Sequence, residues 1–551
     1  MVITTSGGLG TNQSSHANEN QSTFKHVHST DIESVQNQLK VDGKKVVTSS
    51  NTSFLTTAII GVPAFLTLLP LTVAYQTGKS LFSNSEKSSH KVVDDPLIAS
   101  SEESIGEKFP SLDEIKPKTE RKYDIVLLGC TGFTGRLAAI YIAKTYRINQ
   151  SVKWAIAGRS QAKLSKLKNE LNKYVSNASE TLDTIIVDTT DPSTMHDLVQ
   201  NTKCVVTTAG PFWKYGSKVV EFCVKYGTDY VDTTGETGWN KEMIMKWNNL
   251  AVKTGSKIIS LCGMDSIPWD LSFYKLSQLV KKGSNGDGDY LVKVKFFDEM
   301  KGGISGGTID TMISIAIDQN YIEKKYDCDP YCQGIHGDKI SHKLKDVSPA
   351  LPQRSLRADG RWTIPWLMGM VNSEVVKRSN VLLTDQIATK HNATPRTNVK
   401  YEEYWVQQTF KEAFVTWFGT VITATALLNP LIGTPVKKYL LPKPGQGPDD
   451  VALKKGYLLL NAIGESKNGT RVESSMYFPN DPGYADTARM VTESGLCLAL
   501  DSDKLPVQEG GFYTPAIGMG DALMERLCAT GCKFASRIIS TLDDGKLSSK
   551  L

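Results

Sequence analysis

Residues 123–143 read YDIVLLGCTGFTGRLAAIYIA. The apolar run over 125–128 is typical of a buried parallel strand, and three glycines follow it at intervals of three. The apolar residues after the third glycine recur at spacings that one face of a helix could bury. A strand, a glycine-rich turn and a helix in this order predict a dinucleotide-binding site.

The glycines of this turn suit the chemistry of a bound pyrophosphate. The turn must be tight, the backbone must approach the phosphates, and the helix must pack closely on the strand. The first turn of the helix then offers free N–H groups and a partial positive charge. We expect six residues to form this site, with threonine hydroxyls as additional donors: Gly129, Thr131, Gly132, Phe133, Thr134 and Gly135.

The next predicted strand, KWAIAGR over 153–159, indicates which nicotinamide cofactor is bound. An NAD enzyme usually places an acid near the end of this strand, where it accepts from the ribose 2′-OH. No Asp or Glu occurs from 125 to 169, and the strand ends instead at Arg159 and Ser160. A guanidinium and a hydroxyl suit a 2′-phosphate. The sequence therefore favours NADP(H) over NAD, with a solvated surface arginine as the alternative.

The later strands extend the same pattern. The third predicted strand, 184–188, ends in Asp188, which could contact the adenine edge or cap the helix that begins near Asp191. The fourth, 204–212, ends in a turn of small residues that would let the backbone approach the nicotinamide ribose: Ala209, Gly210 and Pro211. Strands at 229–236 and 257–268 alternate with helices at 217–226 and 240–253. This alternation predicts an α/β fold with a doubly wound parallel sheet, the Rossmann arrangement.

Composition excludes several classes of protein. The chain has 551 residues, 40% of them hydrophobic and 22% charged, which is an ordinary globular balance. A net charge of +5 gives no case for nucleic acid as a partner. The nine cysteines are scattered and odd in number, which favours a reducing compartment over a disulfide scaffold. Neither C-x-x-x-C pair, at 328–332 or 528–532, is followed by ligands at metal spacing, so we expect no metal site.

The chain divides into three parts. Residues 1–120 form a polar, disordered extension that contains a charge-free hydrophobic segment at 54–75, long enough to cross a bilayer but interrupted by two prolines. Residues 121–268 form the Rossmann domain. Residues 269–551 form a mixed α/β domain for substrate binding or dimerisation, with a C-terminal helix that could return to the Rossmann domain. Within it, 413–433 is a hydrophobic helix, either internal or dipping into a lipid surface.

Nine short blocks resemble the saccharopine dehydrogenase-like oxidoreductase family. They are LLGCTGFTGRL, WAIAGRS, TTAGPFWKYG, YVDTTGE, CGMDSIPWD, GGISGGTIDT, LPKPGQGPDD, DPGYADTARM and TPAIGMGDALMERL, between residues 127 and 527. The family includes bacterial trans-acting enoyl reductases of lipid and glycolipid assembly, and an animal protein of lipid droplets and mitochondria. The resemblance implies an NADP-type Rossmann domain and a second α/β domain, often in a homodimer.

The resemblance implies an oxidoreductase of lipid or glycolipid metabolism that reduces an enoyl or keto group. We expect the protein inside the cell, attached to a membrane or a lipid droplet, with the mitochondrion as one candidate organelle. Two alternatives remain: a non-catalytic lipid-surface protein that keeps the Rossmann shell, and a reductase of an amino-acid conjugate.

The reduction also needs a proton donor. Tyr215 is the first candidate, because it follows the small-residue turn at the nicotinamide end. Asp265 and Ser266 follow a strand end and could line the same crevice, although helix capping is the favoured interpretation. Asp232 and Glu236 are equally consistent with structural roles. The glycine-rich segment 302–308 could cover the substrate.

Overall fold

The computed structural model describes residues 31–44, 109–283, 288–302, 351–355, 357, 359–366, 368–391, 399–428 and 445–540. Side chains within 384–391 and 423–428 are not described. Three sequence predictions fall outside these residues: the hydrophobic segment 54–75, the glycine-rich cover at 303–308 and the cysteine pair at 328–332.

Within the part of the chain that the structure describes, fourteen strands form two sheets. In chain order they are β1 Tyr123–Leu128, β2 Trp154–Gly158, β3 Asp183–Ile186, β4 Thr202–Thr207, β5 Asp229–Asp232, β6 Lys257–Ile259, β7 Leu291–Lys301, β8 Gln353–Arg354, β9 Trp362–Ile364, β10 Lys400–Gln407, β11 Tyr457–Ser466, β12 Arg471–Phe478, β13 Gly511–Phe512 and β14 Lys533–Ser540.

The α-helices of the described residues are α1 Ile32–Val41, α2 Phe133–Tyr146, α3 Gln161–Leu171, α4 Ala178–Thr181, α5 His196–Gln200, α6 Phe212–Tyr215, α7 Ser217–Lys225, α8 Thr237–Thr254, α9 Ile267–Gly283, α10 Gly369–His391, α11 Phe410–Leu428, α12 Asp450–Lys455, α13 Thr487–Leu500 and α14 Pro515–Ala529. Short 3₁₀ turns occur at Leu112–Glu114, Lys118–Glu120, Pro192–Thr194 and Ser502–Lys504, and a π-helical turn at Pro482–Asp486.

The first sheet has the strand order β13-β6-β5-β4-β1-β2-β3, with every pair parallel. Strand β1 is buried along its whole length, so its side chains alternate between two apolar layers. Ile125 and Leu127 pack with residues of α2 such as Ile142, whereas Val126 and Leu128 pack with residues of α7 and α8. The parallel Rossmann sheet predicted from the sequence is confirmed.

C-terminal residues complete this sheet. Strand β13 pairs with β6, and α13 packs across β1, β4 and β5. The approach of α13 is close because it carries Gly495, where an added Cβ would lie only 2.3 Å from Cγ2 of Val206. The half of the molecule that is built on the first sheet therefore contains residues from the C-terminal third as well as residues 121–268.

The second sheet is mixed and has the order β14-β12-β11-β7-β10-β9-β8. Its β7–β10 pair is parallel, and the other pairs are antiparallel. Helix α9 leads from the first sheet into the second and packs against β7, β11, β12 and β14. The predicted second, mixed α/β layer is confirmed.

The polar N-terminal extension is not wholly without structure, which corrects the prediction of disorder. Helix α1 places Ile32, Val35 and Leu39 on one face, at helical spacing, and buries them against Tyr457 and Tyr477 of the second sheet. The chain is again described from residue 109, where the Phe109 ring packs edge-on against Phe222. These segments become ordered because they use apolar surface that the folded part supplies.

Three predicted strands were too long. Strand β4 ends at Thr207, β5 at Asp232 and β6 at Ile259, rather than at 212, 236 and 268. The residues beyond these ends form loops at the carboxyl edge of the sheet, which is where ligands of such sheets bind.

The hydrophobic stretch 413–433 lies in α11 as far as residue 428, and its last residues are outside the described part. Phe410, Phe414 and Phe418 are 52%, 45% and 39% exposed. Across the ranges that the structure describes, we find no helix with the length and apolarity needed to cross a membrane.

Candidate functional site

The glycine-rich turn joins β1 to α2 in a geometry that other residues cannot adopt without strain. Gly129 has a φ of +81°, and a Cβ there would lie 2.8 Å from the backbone nitrogen of Ala209. A Cβ on Gly135 would lie 2.4 Å from the carbonyl oxygen of Gly129. The first glycine thus makes the turn. The third glycine, Gly135, lets helix α2 pack directly on the turn.

The N-terminus of α2 is open. Gly132 is its N-cap residue, so no side chain covers the first-turn N–H groups, and that turn carries no acid. Thr131 is exposed, while Gly132, Phe133 and Thr134 are half-buried. A Cβ on Gly132 would have one neighbour within 4 Å in the described part of the chain, the Gly129 carbonyl oxygen at 3.3 Å. Uncapped N–H groups with a partial positive charge form a site for an anion.

The loop after β4 lies against the glycine-rich turn, because β4 pairs directly with β1. Thr208 donates its backbone N–H to Leu128 at 3.0 Å and its hydroxyl to the Gly129 carbonyl at 3.3 Å. Ala209 and Pro211 are half-buried, and Gly210 is exposed at the edge of the sheet. The two predicted parts of the cofactor site are therefore adjacent.

Arg159 directly follows β2 at this edge, and its side chain is exposed. The hydroxyl of the next residue, Ser160, caps α3 by accepting from the Lys163 N–H at 3.4 Å. A guanidinium beside an N-cap hydroxyl and a helix N-terminus is a suitable environment for a phosphate group.

Asp188 follows β3, next to the end of β2. Its carboxylate accepts from the backbone N–H and the hydroxyl of Thr190, at 3.0 and 2.7 Å. These bonds hold its pKa below the ordinary value, with a smaller contribution from the charge of Arg159. The helical turn beyond is capped by Asp191, which accepts from the Ser193 N–H, so Asp188 is not that cap. Contact of Asp188 with adenine stays a prediction.

Tyr215 ends the short helix α6 that follows Pro211. The ring is half-buried and carries the Lys214 ammonium 5.2 Å from its centroid. Its hydroxyl makes no hydrogen bond within the described part of the chain. The geometry neither assigns it a reaction step nor places it in the core.

Glu236, which the sequence left open between two roles, fixes the start of α6. Its carboxylate accepts from the backbone N–H groups of Phe212 and Trp213, at 2.9 and 2.6 Å. Burial raises the pKa of Glu236 to about 7, and the two N–H bonds oppose that rise. Glu236 therefore positions the chain after Pro211, at the predicted nicotinamide end.

Asp232 ties β5 to β6. Its carboxylate accepts from the N–H groups of Thr234 and Leu261 and from the hydroxyls of Tyr230 and Ser260, at 2.9–3.0 Å. Burial raises its pKa to about 6, although all four bonds favour the charged form. A carboxylate with this many partners supports the loop that leads to Asp265, so its role is structural.

Asp265 lies in the loop between β6 and α9 and is partly exposed. Burial of its carboxyl group raises its pKa to about 7. The Ser266 hydroxyl donates to the Asp265 carbonyl and so does not cap α9. It is the backbone carbonyl of Ser266 that accepts from the Asp270 N–H of the helix. The favoured interpretation, in which both side chains cap α9, is wrong for Ser266.

The sequence reasoning missed two acids of the second sheet, whose pKa values are raised by burial and, to a smaller extent, by the charge of Asp265. Asp298 on β7 and Glu403 on β10 are completely buried. Each lies in a strand that is otherwise largely apolar, FFDEM and YEEYWV. A buried charge in an apolar strand was the available signal.

The open end of α2, the small-residue loop and Arg159 together fit a nicotinamide dinucleotide. The turn would hold the pyrophosphate, the loop after β4 the nicotinamide ribose, and Arg159 with Ser160 a 2′-phosphate. Among the described residues, no group of three or more His, Cys, Asp or Glu side chains is arranged to hold a metal ion.

Comparison with known proteins agrees with this site. Residues 125–258 match the model of the saccharopine dehydrogenase NADP-binding domain. A Mycobacterium tuberculosis protein named as a trans-acting enoyl reductase is 33% identical over 426 residues, which cover 75% of this chain and 97% of that protein. A trans-acting enoyl reductase of Mycobacterium bovis is 30% identical over 430 residues, with the same coverage.

Among solved structures, saccharopine dehydrogenase from Saccharomyces cerevisiae aligns with a TM-score of 0.39 and 12% identity, over 76% of this chain and 99% of that one. That distant similarity adds nothing to the functional argument. The match to the mycobacterial proteins, by contrast, spans both sheets. The chain therefore belongs to the saccharopine dehydrogenase-like family of oxidoreductases, together with the trans-acting enoyl reductases.

Proposed function

We propose that the protein is an NADPH-dependent reductase of an enoyl or keto group on a lipid-like substrate, working at a lipid surface. The observation that carries the redox half is the uncapped N-terminus of α2 beside the exposed guanidinium of Arg159. The enoyl assignment takes its support from the names of the mycobacterial relatives.

The cofactor, when bound, supplies the hydride. The residues of this chain bind and orient it. The α2 N–H groups hold the pyrophosphate, and Glu236 fixes the chain after Pro211 beneath the nicotinamide end. The Met368–Gly369 segment packs on the carboxyl edge of the first sheet, because the Met368 methyl group is 3.8 Å from where a Cβ on Gly235 would lie.

Turnover tests the proposal directly. We expect the purified protein to oxidise NADPH in the presence of a long-chain enoyl thioester or ketone, and to leave saccharopine unchanged. The rate would be followed by loss of NADPH absorbance, with the product identified by mass spectrometry. Reduction of NADP⁺ with saccharopine as the hydride donor would support the amino-acid conjugate instead, and NADPH binding without turnover on any acceptor would support a non-catalytic shell.

The lipid-surface half takes its support from the exposed face of α11. Phe414 and Phe418 stack with ring centroids 5.8 Å apart and are about half exposed. Replacing both with serine removes apolar surface worth roughly 1.5–3 kcal/mol per fully buried ring, so we expect binding to neutral-lipid emulsions or vesicles to fall about tenfold or more. Flotation of the protein with lipid would measure this.

Two controls make that test specific. Leucine at both positions keeps the apolar face and should retain flotation. Serine at Met245 and Val252, exposed apolar residues of α8, removes comparable surface elsewhere and should have little effect. Equal flotation of the wild type and the Phe414/Phe418 serine variant would show that α11 is not the surface that attaches the protein to lipid.

A further inference from the structure

Helix α1 is held on the second sheet by polar contacts as well as by its apolar face. The Gln36 side-chain amide donates to Oδ1 of Asn461 on β11 at 3.0 Å. Just beyond the other end of the helix, the Tyr477 hydroxyl on β12 donates to Oδ2 of Asp42 at 2.7 Å. Because both ends of α1 are fixed on the sheet, the position of the residues that directly follow the helix is fixed as well.

Lys44 follows α1 and reaches a different element, the short helix α12. Its ammonium group donates to the backbone carbonyls of Lys454 and Gly456, the second at 3.1 Å. Both carbonyls lie at the C-terminal end of α12. The last carbonyl groups of a helix lack partners within it and carry a partial negative charge, so a cation placed there stabilises the helix end.

The same end of α12 packs against the π-helical turn Pro482–Asp486. The Asp481 N–H donates to the Leu453 carbonyl at 2.7 Å, and Asp481 in turn accepts from the Tyr484 N–H at 2.9 Å. A Cβ on Gly456 would lie 2.3 Å from Cα of Asp481, so the two chain segments touch at their backbones. We refer to Leu453, Gly456 and Asp481 as the junction between α12 and the π-helical turn.

Both elements that meet at the junction also contact Phe133, the first residue of α2. The ring of Tyr484 packs edge-on against the ring of Phe133, with centroids 5.2 Å apart. Gly447 lies two residues before the N-cap of α12, and a Cβ there would be 2.5 Å from Cε1 of Phe133. Phe133 belongs to the first turn of α2, whose uncapped N–H groups form the anion site. Two packed routes therefore connect Lys44 to the predicted pyrophosphate site.

We propose that Lys44 is a positioning residue of the nucleotide site. Docking of α1 places Lys44 on the junction, and the junction holds Phe133 and the first turn of α2 in the geometry that binds a pyrophosphate. Residues 125–258 match the NADP-binding domain of the family, so α1 and Lys44 lie before the matched domain and act on it from outside. The inference rests on the proposed use of NADPH.

Docking of α1 and binding of NADPH are then expected to favour each other. If docked α1 raises the affinity for NADPH by some factor, bound NADPH raises the docking equilibrium of α1 by the same factor. Helix α1 is suited to such an equilibrium, because a helix of ten residues is only marginally stable by itself in water and depends on the surface it packs against.

Lys44→Met tests the role of the ammonium group. The variant keeps an unbranched side chain and loses both charge-assisted hydrogen bonds to α12. Because couplings between sites commonly amount to fivefold or more in affinity, we expect the dissociation constant of NADPH, measured by nicotinamide fluorescence, to rise by about that factor. Lys44→Arg keeps the positive charge and should restore most of the affinity.

Lys40→Met is the matched control for that variant, because Lys40 is exposed in the last turn of α1. Its affinity for NADPH should equal that of the wild type. An equal loss of affinity in Lys40→Met and Lys44→Met would assign the effect to net charge and would overturn the role of Lys44.

Leu39→Asp tests the docking of α1 as a whole and serves if Lys44→Met does not fold. Leu39 is buried against the second sheet, so a carboxylate there is expected to release α1. Cleavage by trypsin after Lys40 measures the release, and the dissociation constant of NADPH should rise as well. Val41→Asp places the same charge at a position that is 75% exposed, and should change neither. Released α1 with unchanged NADPH affinity overturns the inference.

Hydrogen exchange in the protein without cofactor separates this inference from the proposed function. The first hydrogen-bonded turn of α2 begins with the bond from the Arg136 N–H to the Gly132 carbonyl. We expect the amides of residues 136–138 to exchange faster in Lys44→Met than in the wild type, and equally in Lys40→Met and the wild type. If the protein binds no NADPH, the reductase function fails, and this exchange still decides the inference. Identical exchange in Lys44→Met and the wild type then contradicts it.

Discussion

Replacing Gly132 with aspartate is expected to abolish NADPH binding without unfolding the protein. Gly132 is the N-cap of α2, a position at which aspartate is among the preferred residues. Its Cβ would lie 3.3 Å from the Gly129 carbonyl oxygen, a tight contact that a backbone adjustment of a few tenths of an ångström relieves. The new carboxylate would, however, occupy the anion site and repel a pyrophosphate, so we expect affinity to fall by more than about a hundredfold.

Titration by nicotinamide fluorescence, together with thermal unfolding, measures both effects. Gly132→Asn is the matched control because it has nearly the same volume and no charge, and its loss of affinity should be smaller. Gly135→Ala provides the contrast in stability, since its Cβ would lie 2.4 Å from the Gly129 carbonyl and must displace backbone. Undiminished NADPH affinity in Gly132→Asp would mean that the pyrophosphate binds elsewhere.

Arg159→Ala is expected to remove the preference for NADPH. A hydrogen bond to a charged group contributes about 1.5–3 kcal/mol, so losing the guanidinium should weaken NADPH binding by roughly tenfold to a hundredfold. NADH has no 2′-phosphate, and its affinity should change little. The ratio of the two dissociation constants measures the effect independently of any general loss of folding.

Lys166→Ala controls for the loss of positive charge in that experiment. Lys166 is exposed in the second turn of α3. We expect NADPH and NADH to bind Lys166→Ala as tightly as they bind the wild type. If Arg159→Ala lost affinity for NADPH and NADH to the same extent, the arginine would contact a part of the nucleotide that both cofactors share, and not the 2′-phosphate. Equal NADPH affinity in wild type and Arg159→Ala would make it a solvated surface residue.

The first half of the fold could be read from the sequence because its signals are local. A strand, a turn and a helix follow one another within 123–143, and two of the three glycines have a local reason: Gly129 has a φ of +81°, and a Cβ on Gly135 would lie 2.4 Å from the Gly129 carbonyl. Strand ends were less predictable. Residues such as Ala209 and Pro211 continue an apolar pattern but form the loop that borders the site.

Contacts between distant segments were not predictable in the same way. Helix α1 shows a helical spacing of apolar residues, but its partner surface lies far along the chain, as the 3.0 Å hydrogen bond from Gln36 to Asn461 illustrates. The two buried acids of the second sheet are similar: Asp298 and Glu403 lie on neighbouring strands because β7 and β10 pair in parallel. One sequence without its fold does not reveal that pairing.

A crystal structure of the protein with NADP⁺ tests the central claim most directly. We predict the pyrophosphate over Gly132 at the N-terminus of α2, the 2′-phosphate against Arg159 and Ser160, and the nicotinamide at the loop formed by Ala209, Gly210 and Pro211. A nucleotide bound away from the α2 terminus, or no nucleotide at saturating NADP⁺, would contradict the account.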